Sequence, residues 1–416
     1  MVCARRREAD RITSRNVPSI KWPAAIDMTS TLLIMGSSAR AAADSAVAAG
    51  FRVISVDLFA DEDLRRIAAY HRIPSSHYPA GLVEAAAEFS NVDGWLYTGG
   101  LENHPAIIAS VSQRIPLLGN GANAIVGVRD PWKLSRALAA DNIDFPETVD
   151  PRCSPPGDGS WLMKGSRSCG GSKVAVWRRA PGSMTSIGSK MSYREGYFQR
   201  RVRGVSCSAS YVSDGKRAQL LGATRQLLRR WHQSKDLGRF GYAGSLGPLV
   251  TAGWLQRWLE RVGYSLVERF SLVGLFGVDF VLERNQRQAW VIEVNPRYTA
   301  SMEVLERAGG ISMLAQHVAA CRHQRLLGMD TNALMQRVCW KRITYANSPI
   351  HVSTAFVEWA MSNEQRTGQS MMVDIPPAKT EIRAGQPAFT LLAQASSPRA
   401  LLAEMRRLRG RCDERR

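Results

Sequence analysis

The chain has 416 residues, 45% of them hydrophobic, and 55 basic against 36 acidic side chains give a formal net charge of +19. That apolar content excludes a disordered or collagen-like chain and leaves room for two or three cored domains. The charge suits polyanions, from nucleotides and phosphorylated substrates to RNA and membrane headgroups, without choosing among them.

Residues 1–30 read as a disordered basic arm. They have no periodic apolar face, no apolar core for a secretory signal, and acids at Glu8, Asp10 and Asp27 that do not suit a transit peptide. Met28 also stands as an alternative start, just ahead of the first strand. From Thr31 the pattern becomes α/β. Thr31–Met35 (TLLIM) is a short strand, an alanine-rich helix follows to Ala49, and Gly50 closes that helix. Strands are then expected over Phe51–Asp57, Gly94–Thr98 and Ile115–Leu118, which makes a small doubly wound unit over residues 31–120. A dinucleotide fold would show G-x-G-x-x-G after the first strand. Only Gly36 is there, so NAD binding is not expected.

Asp130-Pro131 opens a helix with an Asp N-cap and Pro at the first turn, running to about Ala140. Trp161–Lys164 and Val174–Trp177 read as strands joined by a Gly/Ser-rich loop. Tyr197–Val212 and Leu275–Val294 supply more strands, and helices are expected near Ser301–Ala308 and Ile311–Leu327. Residues 338–395 are strand-rich, with turns at Pro376-Pro377 and Gly385. Ser397–Arg411 is an amphipathic basic helix with Leu401, Leu402, Met405 and Leu408 on one side.

The most informative stretch is LFGVDFVLERNQRQAWVIEVNPR, Leu275–Arg297, which reads as a hairpin. Alternation places Phe276, Val278, Phe280 and Leu282 on one face of the first strand, and Trp290, Ile292 and Val294 on one face of the second. The other faces carry Gly277, Asp279 and Val281, then Val291, Glu293 and Asn295. Pairing Asp279 with Glu293 also sets Leu282 opposite Trp290 and leaves a seven-residue loop. Two carboxylates and an amide at about 5 Å cross-strand spacing repel unless a cation lies between them. They suit Mg²⁺, which takes hard oxygens and keeps places for substrate phosphates. The bland alternative is a solvated acidic face, but Gly277, Val281 and Val291 do not suit open water. Arg297, just past Pro296, adds a guanidinium for a phosphate or carboxylate.

This segment resembles the metal-binding strands of the ATP-grasp superfamily, and other motifs follow that family's order. Lys133 in RDPWKLSRAL resembles its first nucleotide lysine. Lys164 in WLMKGSRSCGGSKV resembles the second, ahead of a glycine-rich flap at Gly170-Gly171, and YFQRRVRG resembles the adenine hinge, with Gln199 in place of an acid. Only nine of the basic residues are lysines, so two at these places stand out. Against the family's pattern, Gly165 follows the second lysine where proline is frequent, and Ser172-Lys173 stands where another glycine is common. RAAADSAVAAG, DLFADEDLR, YTGGLENHP and DIPPAK…IRAGQPAFTLLA further resemble a subgroup of biotin-carboxylase-like carboligases.

The resemblance implies an α/β and α+β architecture: an ATP-grasp fold with an N-terminal Rossmann-like pre-ATP-grasp domain (31–120), a nucleotide- and metal-binding domain (121–330) and a C-terminal β-rich module with a terminal helix (331–416). It implies an ADP-forming carboxylate–amine ligase that uses ATP and Mg²⁺ (or Mn²⁺). Asp279, Glu293 and Asn295 are then the metal ligands, Lys133, Lys164, Gly170, Gly171 and Gln199 hold the nucleotide, and Arg297 and Lys164 are catalytic. Arg225 is a further phosphate contact, and Glu102, Asn103 and His104 line the acceptor site. The expected partners are small-molecule acids and amines, as in methanofuran-type one-carbon cofactor assembly, with a homodimer left open and no membrane or nucleic acid. Bicarbonate activation is the second reading, although no biotinyl A-M-K-M motif is present. A polyanion-binding protein, using Trp177 and Trp231 beside arginines, is the third.

The cysteines, at 3, 153, 169, 207, 321, 339 and 412, form no C-x-x-C pair or zinc-spaced cluster, which fits reduced thiols in a cytoplasmic protein. No apolar run approaches the length of a transmembrane helix.

Overall fold

The computed structural model describes residues 30–413, apart from 90, 179–195, 230–239, 252, 284–286, 329–335 and 368–369. The expected basic arm, save Ser30, and Trp231 lie outside the described residues.

The first unit is a parallel sheet of β1 (Thr31–Met35), β2 (Arg52–Asp57), β3 (Ala69–Arg72) and β4 (Gly94–Tyr97), ordered β3-β2-β1-β4. Its central strand is an unbroken apolar run because both faces are covered. Leu32 and Ile34 pack with Ala42, Ala43 and Ala46 of the helix Arg40–Ala48. Leu33 and Met35 pack on the other side with Leu82 and Ile108. Gly50 ends the first helix at φ 94°, as expected. The strand expected at Ile115–Leu118 is instead a single bridge between Trp95 and Leu117. Pro116 has no N–H to extend a ladder.

Two antiparallel sheets follow. The smaller contains β5 (Thr148–Val149), β6 (Asp158–Gly165), β7 (Val174–Arg178) and β8 (Gly196–Arg200), ordered β5-β8-β6-β7. The larger runs β13-β12-β9-β10-β11-β14-β18-β16 and includes β9 (Val205–Asp214), β10 (Ala218–Leu228), β11 (Tyr242–Gly247), β12 (Val273–Leu282) and β13 (Ala289–Asn295). The run expected as Tyr197–Val212 is thus two strands in different sheets. The chain leaves the first at Arg201–Gly204, where a Cβ on Gly204 would meet the Leu282 carbonyl at 2.4 Å.

The closing strands β14 (Val338–Tyr345), β16 (Ser370–Val373) and β18 (Pro387–Ala395) extend the large sheet and do not form one of their own, while β15 (Ile350–His351) and β17 (Glu381–Ile382) pair separately. Helices not placed beforehand include Ala80–Ala87, Pro105–Ser112, Ala122–Val128, Thr354–Thr367 and, the longest among them, Trp254–Phe270. The helix Trp254–Phe270 lays Trp258, Leu259, Val262 and Leu266 against Phe276, Val278 and Phe280 of β12. Each of those fully buried apolar side chains stabilises the fold by roughly 1.5–3 kcal/mol. In the terminal helix, Pro398–Asp413, Leu401 and Leu408 face the core but Leu402 is half exposed, which corrects the expected apolar side. Among the described residues, no helix is long and apolar enough to cross a membrane.

Candidate active site

A cavity of about 420 Å³ lies where the two antiparallel sheets face each other and the first unit closes one end. Its walls include Leu162, Lys164, Gly170, Gly171 and Gln199 on one side and Asp279, Glu293, Asn295 and Arg297 on the other. Eight of the nine residues expected as metal ligands, nucleotide-holding groups or catalytic groups therefore meet in one space; Arg225, Glu102, Asn103 and His104 do not line it.

Strand register brings the carboxylates together. Asp279 pairs with Glu293 and Gly277 with Asn295. Beyond Asp279 the register shifts, so that Leu282 faces Ala289 and not Trp290. This bulge exchanges the expected faces of β13 ahead of Glu293, while Glu293, Val294 and Asn295 keep theirs. Val291 is fully buried in the core, whereas Ile292 joins the cavity wall and turns its carbonyl to Lys164 Nζ at 3.2 Å. Gly277 is needed because a Cβ there would stand 2.7 Å from Thr299 Cγ2.

Asp279 accepts from Gln226 Nε2 at 2.9 Å and lies 3.4 Å from Asn295 Nδ2. Burial, and then the adjacent Glu293 charge, push its carboxyl up to about 6. Two facing carboxylates, one of them destabilised as an anion, are a cation's donor set. Turning the Asn295 amide over would add a third oxygen. Among the described residues no three His, Cys, Asp or Glu side chains gather for a metal. The protein thus offers two carboxylates and an amide, which fits an ion that also takes phosphate and water oxygens.

Lys164 is buried, and its ammonium donates only to neutral oxygens, Gln199 Oε1 at 3.1 Å and the Ile292 carbonyl. A buried cation with neutral partners is poised for an anion. Gln199, also buried, is held in turn by Thr148 Oγ1 at 3.3 Å. Gly170 and Gly171 have φ of 60° and 73°, and Tyr242 N donates to the Gly170 carbonyl. A Cβ on Gly171 would lie 2.1 Å from the Phe240 carbonyl, so only glycine lets the flap dock there.

Lys133 is the exception. Asp130 caps its helix as expected, accepting from Trp132 N and Lys133 N, but the Lys133 side chain is exposed and lies off the cavity wall. The first helical turn buries Pro131 and Leu134 instead. Arg225 also points away and is exposed. Strand alternation brings its neighbour Gln226 to the site. Asn103 and Glu102 do not line the cavity: Asn103 holds Arg129 and Glu102 lies behind Arg297, while His104 packs edge-on against Tyr78. Trp177 is buried against Phe198 with its N–H on the Pro155 carbonyl, so it offers no stacking face.

The Arg297 side chain is largely shielded from solvent and donates to Glu102 Oε1 at 2.6 Å and to the Tyr298 carbonyl at 3.0 Å. Burial alone would lower its affinity for the proton, but Glu102 holds it firmly charged. Burial would raise Glu102, yet Arg297 and Arg129 keep it below the usual carboxylate range. Arg129, which no expectation singled out, lies 3.5 Å from Glu293. Cys169 of the flap also lines the cavity, and burial, then Glu102, push its thiol up to about 11, which disfavours the thiolate.

The far end of the cavity is lined by Ser37, Ser38, Arg40, Thr98, Lys341 and Asp374. Arg40 binds both oxygens of Glu303 and donates to Asp374 at 2.8 Å. Lys341 donates to Glu303 at 2.6 Å. Of these residues, Lys341 is one of the scarce lysines, and Arg40, Thr98 and Asp374 lie in the segments RAAADSAVAAG, YTGGLENHP and DIPPAK whose resemblance was noted above, without having been singled out as site residues.

Residues 128–301 match the family model described as an ATP-grasp domain. The chain is 21% identical over 386 residues to an uncharacterized protein of Methanocaldococcus jannaschii, covering 87% of this chain and 88% of that one. It is similar in structure (TM-score 0.68, 12% identity, 92% of this chain and 89% of the other) to the biotin carboxylase domain dimer of Hydrogenobacter thermophilus 2-oxoglutarate carboxylase with MgADP and bicarbonate. It is also similar (TM-score 0.66, 12% identity, 94% and 100%) to Aspergillus clavatus carboxyaminoimidazole ribonucleotide synthase complexed with ATP. The domain match falls on the strands that build the cavity, and the likeness in fold extends through the first unit and the closing strands: residues 128–301 match an ATP-grasp domain, and the fold of the chain is similar to those of the biotin carboxylase domain and the carboxyaminoimidazole ribonucleotide synthase.

Proposed function

We propose that this ATP-dependent, ADP-forming ligase activates a carboxylate as an acyl phosphate and transfers the acyl group to an amine. The observation that carries this reading is one cavity holding a buried, anion-free lysine over a register-paired Asp279 and Glu293, with a separate polar end beyond Arg297. Mg²⁺ (or Mn²⁺), held by Asp279 and Glu293 with Asn295, would neutralise charge between the phosphates. Lys164 binds the nucleotide phosphates, and Gly170 and Gly171 let backbone N–H groups approach them. The Gln199 amide can both donate and accept at the adenine edge.

The substrate carboxylate attacks the γ-phosphorus and ADP leaves. The amine nitrogen then attacks the acyl carbon, inorganic phosphate leaves, and a proton is lost from nitrogen. Arg297 stabilises charge on the phosphoryl group in flight. Such transfer rests on positioning and electrostatics rather than on protein covalent chemistry.

The test is ADP release from Mg-ATP across a panel of acids and amines, with hydroxylamine trapping the activated acyl group as a hydroxamate. Glutamate with amines of one-carbon cofactor assembly is the pair to try first. Acid-dependent ADP release with hydroxamate supports the reading. ADP release that needs bicarbonate alone overturns it in favour of a carboxylase. Sedimentation of the same preparation tests a homodimer.

A further inference from the structure

We propose that Glu102, from the first unit, is a positioning residue that keeps Arg297 and Arg129 from collapsing onto the metal-side carboxylates. The inference rests on the Mg-ATP reading of the cavity above.

Glu102 sits in the short turn Leu101–Asn103 that follows β4, and its side chain is fully buried. It is not on the cavity wall, but its neighbours Gly99 and Arg297 are. It therefore acts through Arg297 and not on a substrate. Arg297 Nη2 lies 2.6 Å from Glu102 Oε1, and Arg129 Nη1 lies 3.8 Å from the same oxygen. Arg129 Nη1 is in turn 3.5 Å from Glu293, and Arg297 Nη2 is 3.3 Å from Asn295 Oδ1. Charges alternate along this chain: Glu293, Arg129, Glu102, Arg297.

Both arginines stand between two sets of anions. One is Glu102; the other is the Asp279–Glu293 pair that the metal needs. Unlike charges at such separations attract strongly where water is scarce. Without the Glu102 charge, the two guanidiniums keep only neutral acceptors on that side among the described residues, Asn103 and the Ser168 carbonyl for Arg129 and the Tyr298 carbonyl for Arg297, against the charges of Glu293 and Asp279. The guanidiniums would then neutralise the metal's carboxylates, and Arg297 would leave its place beside the phosphoryl group. Glu102 Oε2, Arg129 Nη1 and Arg297 Nε are buried without a hydrogen-bond partner among the described residues. A purely structural polar cluster is usually saturated. This one keeps bonding capacity beside the cavity, as a group that adjusts when ligand arrives would.

The fold adds a second consequence. Glu102 and the helix Arg40–Ala48 belong to the parallel sheet, whereas Arg297, Glu293 and Asn295 belong to β13 and its exit. The seating of the first unit therefore sets where Arg297 points.

The test compares Glu102→Gln and Glu102→Asp in the full chain. It reads kcat, and the Mg²⁺ concentration that half-saturates ADP binding by calorimetry. Loss of a group that orients a metal site costs on the order of 10–100-fold in affinity or activity. For Glu102→Gln the expected result is such a fall in kcat together with a rise in the Mg²⁺ midpoint. Glu102→Asp keeps the charge and withdraws it by one methylene; its kcat is expected to fall at least tenfold with thermal unfolding unchanged. In an Arg297→Lys background, Glu102→Asp is expected to cost less than it does alone, because its effect passes through Arg297. Wild-type kcat and Mg²⁺ midpoint in Glu102→Asp, or full additivity in that cycle, would overturn the inference, even if Glu102→Gln fails to fold. Should wild-type protein bind no ADP at any Mg²⁺ concentration, the nucleotide reading falls first, and the inference with it.

Discussion

The two ends of the cavity hold charge in opposite ways. At the end walled by Lys164 and the hairpin carboxylates, charge is less well matched: among the described residues Lys164 donates to neutral oxygens, and Asp279 faces Glu293, whose nearest cation is Arg129 at 3.5 Å. At the far end each buried cation already has its anion: Arg40 has Glu303 and Asp374, and Lys341 has Glu303. Desolvating an unmatched charge is costly, so it persists only where a ligand relieves the cost. Balanced charge, by contrast, serves as architecture, tying the first unit to the large sheet and to the closing strands. The comparison separates groups that should govern turnover from groups that should govern stability.

The largest effect should come from breaking the balanced end. Glu303→Gln leaves Arg40 and Lys341 without their shared carboxylate, and removing one partner of a buried pair costs about 3–5 kcal/mol. Urea unfolding is the measurement; a change under about 1 kcal/mol would erase the distinction between the two ends.

At the unbalanced end, Lys164→Ala and Glu293→Gln should each lower ADP release on the order of 10²–10³-fold, about 3–4 kcal/mol in the barrier, while unfolding stays near wild type. Wild-type-like turnover in both would sink the site assignment.

A smaller effect belongs to His317, which joins the two units. Its Nδ1 accepts from Leu275 N at 2.8 Å and its Nε2 faces the Leu118 carbonyl at 3.0 Å, so the ring must be neutral. Burial depresses it to about 4 in the fold, against roughly 6.5 unfolded. The stability it confers is present above about pH 6.5 and is lost as pH falls towards 4, by about 3 kcal/mol in all. Unfolding followed from pH 7 to 4 should show this slope, and His317→Gln should flatten it. An unchanged slope would place the acid sensitivity elsewhere.

The smallest effect is expected of Lys133→Ala. An exposed side chain off the cavity wall should change KM for ATP by less than about tenfold, within roughly 1.4 kcal/mol. A loss as large as that of Lys164→Ala would mean that the helix Pro131–Ala140 reaches the nucleotide after all.

The β12–β13 hairpin was readable because strand alternation and a short connection put Asp279 and Glu293 on one face by local geometry alone. The same reasoning missed the bulge at Ile292. Either register satisfies the alternation, and only packing of Val291 into the core chooses between them. Arg225 failed for a related reason: strand facing depends on which sheet a strand joins, and β9 and β10 join the larger one. Arg129 gave no signal, because its role exists only where Glu102 and Glu293 approach it from two different units.

By itself, then, the sequence determined the strands it named in order, the caps at Asp130 and Gly50, and the facing of Asp279 and Glu293. These follow from interactions within a turn or across one hairpin. The tertiary structure alone decided that Lys133 stands outside and that the closing strands continue the large sheet. It alone also built the far wall from Arg40, Glu303, Lys341 and Asp374, with Arg40 and Asp374 334 residues apart. The reason is physical: burial and charge compensation are properties of assembled neighbours, and no local pattern encodes which neighbours a side chain will have.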